Sequence, residues 1–84
     1  MHFYFVTFRS VTFAQQAERA LNTAAIHCTL MRTPKCMEAQ GCSYSLRLWA
    51  VDVYPALEQL RKQRVNWRRV YVQKSEGQLE EMAV

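Results

Sequence analysis

Hydrophobic and polar residues follow two periods along this chain, and the places where the period switches outline its elements. Residues 2 to 9, "HFYFVTFR", are aromatic and β-branched almost without interruption, as suits a central strand covered on at least one face. The next stretch, "SVTFAQQAERALNTAA", sets Phe13, Ala17, Ala20, Leu21 and Ala24 at helical spacing and turns Gln15, Gln16, Glu18 and Arg19 outward. Ser10 or Thr12 can cap this helix, and Thr12 with Gln15 has the form of a capping box. "HCTLMRT" then reads as a second strand that stops at Pro34, a residue with no N–H for a ladder. Strict alternation returns in "YSLRLWA", with Tyr44, Leu46, Leu48 and Ala50 on one face and Ser45, Arg47 and Trp49 on the other. Asp52 is placed to cap a helix over "VYPALEQLRKQRV", with Pro55 in the first turn and a stripe of Val53, Ala56, Leu57 and Leu60. "WRRVYVQK" alternates again, Val70 and Val72 opposite Arg69, Tyr71 and Gln73.

The element order is strand, helix, strand, strand, helix, strand. In so short a chain the economical solution is two right-handed strand-helix-strand units. The expected fold is therefore α+β: a ferredoxin-like βαββαβ sandwich, a four-stranded antiparallel sheet with both helices on one face. Residues 1–74 make this single domain, and residues 75–84, polar and acidic before the last few, are expected to form a flexible or weakly docked tail.

Eighty-four residues, half of them apolar, can bury one core without disulfides or metal. No apolar run reaches the roughly 18 residues of a membrane span, and the start lacks the pattern of a signal peptide, so a cytoplasmic location with no membrane association is expected. There thiols stay reduced, and three cysteines, an odd number, argue against a disulfide framework. The net charge of +4 comes mostly from Arg61, Lys62, Arg64, Arg68 and Arg69, which read as a solvated face rather than a nucleic-acid site.

Candidate chemistry gathers in "PKCMEAQGCS", positions 34 to 43, between the second and third strands. In the expected topology this loop lies at the end of the sheet where the first strand exits and the first helix begins. Cys36 and Cys42 would then approach Arg9 and Ser10, with Arg32 and Lys35 nearby; a helix N-terminus and neighbouring cations favour thiolate, the nucleophilic form. Five intervening residues including Gly41 allow a transient Cys36–Cys42 disulfide, provided the α-carbons come within about 7 Å. Zinc is not expected: His27 and Cys28 alternate to opposite faces of a strand, and Cys28 reads as a small core residue in phase with Leu30.

The opening strand with Thr7, Phe8 and Ser10, the Thr33-Pro34 pair followed by Lys35, and Cys42 five positions before Arg47 resemble the selenium/sulfur carrier protein-like family over roughly positions 3 to 72. The resemblance implies that Cys42 is the carrier thiol, holding sulfur or selenium as a persulfide or selenosulfide, with a cysteine desulfurase and a selenium or sulfur acceptor as partners. The chain departs from the family pattern in having Gly41 before Cys42 and Ser43 after it. Cys36 is an extra thiol that fits a resolving role.

Two other readings stand beside this one. In the first, Cys36 and Cys42 are ordinary residues of a hairpin connection. In the second, the chain is a non-enzymatic binding module whose helix-free sheet face, with Arg47, Trp49, Arg69 and Tyr71, takes a protein partner, a second copy or RNA. RNA is the weakest of these, since the aromatic signature of RNA-recognition strands is missing. No carboxylate pair, activated histidine or glycine-rich phosphate loop is visible, so a carrier or binding protein is expected rather than a turnover enzyme, with no cofactor.

Overall fold

The computed structural model describes residues 3–33, 44–73 and 79–82. Its elements are β1 (Phe3–Phe8), α1 (Val11–Thr23), β2 (Thr29–Arg32), β3 (Tyr44–Trp49), α2 (Val53–Lys62), β4 (Arg69–Gln73) and β5 (Leu79–Met82), with a 3-10 turn over Ala50–Asp52 leading into α2. The strands form one sheet in the order β2-β3-β1-β4-β5, every neighbouring pair antiparallel. The sheet thus has five strands, not the expected four. β5 comes from the C-terminal segment and pairs Glu81 with Tyr71 and Glu80 with Val72. Among the described residues no helix is long and apolar enough to cross a membrane.

Strand register sorts the side chains. Val6 lies opposite both Leu46 and Val70, and Tyr4 opposite Leu48 and Val72, so these residues share one face. They meet Ala14, Ala17 and Leu21 of α1 and Val53, Ala56, Leu57 and Leu60 of α2 in a single core. The α2 stripe is the one its sequence implies, and Cys28 and Leu30 pack against the same core. In α1 the phase differs from the sequence reading. Ala14 takes the buried position in place of Phe13, which is 43% exposed, and Ala24 is exposed at the helix end. Ala14 and Ala17 are small enough to bring the helix backbone close to the sheet, whereas a Phe13 turned inward would hold it off.

Helix starts and stops follow local chemistry. Ser10, extended at φ −146° and ψ 163°, caps α1 by accepting the Phe13 N–H at 3.4 Å; the Thr12 capping box does not form because Thr12 is already inside the helix. Asp52 precedes α2 but makes no side-chain cap, since the 3-10 turn holds it at φ −97°, ψ −9°, outside the extended geometry that capping needs. The same turn takes Ala50 out of β3 and exposes it. Both helices end in one motif. The N–H of Ile26 donates to the Leu21 carbonyl and that of Val65 to the Leu60 carbonyl, each at 2.9 Å, wrapping the chain past a left-handed residue, Ala25 (φ 58°) or Arg64 (φ 57°). Ile26 and Val65 then turn onto the core.

A β-carbon in the left-handed region is strained, and glycine there relieves the strain at the expense of a more flexible unfolded chain. Ala25→Gly is therefore expected to stabilise the domain by about 0.5–1 kcal/mol. Urea unfolding of the variant should show a raised midpoint with an unchanged slope; an unchanged or lowered midpoint would mean that the motif carries no strain.

Candidate functional site

Three strands and one helix meet at a single end of the sheet. Phe8 closes β1 opposite Tyr44, the first residue of β3, and Tyr44 in turn lies opposite Arg32, the last of β2. Arg9 and Ser10 follow directly and start α1. On the other side of β1, Thr7 fixes the approach to β4: the Arg68 N–H donates to the Thr7 carbonyl at 2.8 Å and the Arg69 N–H to its Oγ1 at 3.1 Å. The Thr7 hydroxyl returns a bond to the Arg69 carbonyl at 3.3 Å. Thr7 is fully buried, so these bonds stay out of water and fix the backbone on either side of Arg68.

The result is a cleft of about 450 Å³ lined by Arg9, Phe13, Asn66, Trp67 and Arg68. Among the described residues its lining holds two guanidinium groups and no carboxylate, and the first turn of α1 carries no acid to offset the positive end of the helix. Trp67 is held from beside the cleft by Arg61, whose guanidinium lies 5.5 Å from the centre of the indole.

Of the residues singled out for thiolate stabilisation, Arg9, Ser10 and Arg32 do share this end of the sheet. Arg9 and Arg32 are exposed and are separated by the width of β3, so their strands lie about two inter-strand spacings, roughly 10 Å, apart. That is close to the screening length of physiological salt, so Arg32 adds little to the field at Arg9. Cys36, Cys42 and Lys35 fall outside the described residues. Thr33 and Tyr44, which flank their segment, are placed at this same end. The sequence alone does not reveal the cleft, because it reads Phe13 into the core and Trp67 and Arg68 into a strand that begins only at Arg69. The available signal was the pairing of Trp67 with Arg68 at the entry to β4.

The helix-free face gathers Arg47, Trp49, Arg69 and Tyr71, as register requires. It is not bare. Phe5, Thr7 and Ser45 on that face are buried. The Arg47 guanidinium sits 4.6 Å from the centre of the Phe3 ring, and Phe3 packs against Trp49 at 4.5 Å and 38°. Arg69 bonds Glu81 of β5 at 2.7 Å. Trp49 keeps 42% of its surface open.

Cys28 occupies the opposite end of the sheet, beside the start of β2. Burial pushes its thiol from an ordinary 9.0 up to about 11, and the carboxylate of Glu18 adds to the rise. Among the described residues no group of three histidine, cysteine, aspartate or glutamate side chains could hold a metal ion.

Fold and site together define a small α+β domain with a basic cleft at one end of its sheet. The chain belongs to the family described as "Putative Se/S carrier protein-like", whose model matches residues 3–72. No curated protein and no solved structure matched it.

The raised pKa makes Cys28 a poor nucleophile. With Cys36→Ser and Cys42→Ser leaving Cys28 alone, alkylation of the folded protein at about pH 8 is expected to run about a hundredfold slower than that of the urea-unfolded chain, since two pKa units remove that factor of thiolate. Equal rates in the two states would show that the core does not shield it.

Proposed function

We propose that this protein carries sulfur or selenium on Cys42. The observation that carries the proposal is the family match, which spans residues 3–72 and so takes in Cys42. The described geometry supports it. The sequence segment that contains Cys42 leads into β3 at Tyr44, and the end of the sheet where β3 begins also holds Arg9 and the positive end of α1. A thiol there is favoured as thiolate, whereas the core end of the sheet suppresses ionisation of Cys28.

The transfer needs no external oxidant. The Cys42 thiolate attacks the terminal sulfur of a cysteine persulfide on a donor such as a cysteine desulfurase; the new S–S bond forms as the old one breaks, and the donor leaves as thiolate. Selenium would pass in the same way to give a selenosulfide. Cys36 then has a defined role: its thiolate attacks the Cys42 sulfur, releases hydrosulfide and leaves a Cys36–Cys42 disulfide that a dithiol reductant resets. The strand order β2-β3-β1-β4, with a helix in each half, supports reading the fold as a ferredoxin-like arrangement extended by β5.

A second reading is favoured by one observation. Trp49, 42% exposed beside Phe3 and Arg47, is an anchor of the kind found at protein interfaces, so the helix-free face with Arg69 and Tyr71 would take an acceptor protein or a second copy of the chain.

Incubation with a cysteine desulfurase and cysteine, followed by intact-mass measurement under non-reducing conditions, separates these possibilities. Wild type is expected to gain one sulfur atom, Cys42→Ala none, and Cys36→Ala a longer-lived adduct than wild type. A gain that persists in Cys42→Ala would remove the carrier role from Cys42, and no gain in any variant would leave the interface reading in its place.

A further inference from the structure

The cleft between α1 and the entry to β4 has more room and more chemistry than a thiol carrier requires. A volume of about 450 Å³ lies in the range of small-molecule sites and far exceeds what a bare oxyanion needs. Its lining combines three kinds of group. Arg9 and Arg68 bring guanidinium forks that match phosphate geometry, and Arg9 forms no ion pair with any described residue. Phe13 and Trp67 bring aromatic surface, and Phe13 is 43% exposed where its helix phase would allow burial had Ala14 not taken that place. Asn66 brings an amide with both donor and acceptor, the pairing that reads a heterocycle edge.

The walls are also preorganised. The Arg68 N–H is bonded to the Thr7 carbonyl, the adjoining Arg69 is tied twice to the buried Thr7 hydroxyl, and the Trp67 ring has Arg61 against it. A ligand therefore meets side chains whose backbone is already fixed, which lowers the entropic cost of binding.

From this combination we infer that the cleft binds a nucleotide, with its phosphate on Arg9 and Arg68 and its base against Phe13 and Trp67. The shared chemistry is a 5′-phosphorylated nucleoside, supplied either as a free nucleotide or as the end of a nucleic-acid strand. An apolar ligand would leave the Arg9 guanidinium without an anion. Simple phosphate would leave the aromatic walls unused. The site stands whether or not Cys42 carries sulfur, and none of its described residues is a cysteine.

Titration of the isotope-labelled protein, followed by amide and indole NMR signals, tests the inference in wild type and in Cys42→Ala. The probes are adenosine monophosphate, adenosine, inorganic phosphate and a 5′-phosphorylated hexanucleotide. Adenosine monophosphate is expected to move the Trp67 indole and Asn66 signals, and to bind at least about tenfold more tightly than adenosine or phosphate alone, in both backgrounds. Arg9→Gln should weaken it by about tenfold, whereas Arg19→Gln, an exposed arginine of α1 outside the cleft, should not. Trp67→Phe should weaken adenosine monophosphate more than it weakens phosphate. A hexanucleotide that binds more tightly than the mononucleotide assigns the site to strand ends, and one that binds less tightly assigns it to free nucleotides. The inference is overturned if neither phosphorylated probe moves these signals, or if Arg9→Gln leaves both affinities unchanged.

Discussion

The first strand pairs along both edges and is buried on both faces, and the remaining elements take their positions from those two demands. Val6 and Phe8 face the helices with no exposed surface, while Phe5 and Thr7 on the opposite face are covered almost as fully. A backbone so far from water must satisfy its N–H and carbonyl groups within the sheet, which requires β3 on one side and β4 on the other. The helices then have one apolar face to cover, and the Gln59 side-chain amide, donating to the Ala20 carbonyl at 3.2 Å, ties them to each other.

Thr7 shows how such a strand extends its influence beyond the ladder. Threonine suits a pleated surface by its branched β-carbon, and here its hydroxyl also acts as both donor and acceptor toward Arg69. The sheet therefore controls where residues 66 to 68 leave the turn after α2. It fixes the side of β1 on which Trp67 and Arg68 stand relative to Arg9 and Phe13. A functional surface made from loop residues is thus anchored one residue away from a buried hydrogen-bond pair, a stiffer arrangement than a free loop gives.

Much of this was legible in the sequence wherever one period dominated. Tyr44 to Trp49 and Arg69 to Gln73 alternate strictly, and the α2 stripe of Val53, Ala56, Leu57 and Leu60 is buried throughout. The failures have physical causes. In α1 the largest apolar residue, Phe13, draws the expected helix phase toward itself, but packing against the sheet buries Ala14 in its place, beside the expected Ala17 and Leu21. β5 has two glutamates in four residues and low strand propensity, so it forms only because the open edge of β4 supplies partners and Arg69 supplies a counter-charge for Glu81. The arginines from 61 to 69 were read as one solvated face. A short turn instead distributes them: Arg61 against Trp67, Arg68 into the cleft, and Arg69 across the sheet.

The two ends of the sheet consequently offer different chemistry to a thiol. At the end where β2 begins and β3 stops, Cys28 lies against the core, with Trp49, Val51 and Tyr54 exposed around the entry to α2. Desolvation dominates there, and a thiol is held in its neutral form. At the other end, β1 stops at Phe8, the chain turns through Arg9 and Ser10, and the uncompensated positive end of α1 faces a cleft without carboxylates among its described residues. These two environments are held apart because an antiparallel sheet of six-residue strands keeps its ends about 17–20 Å apart.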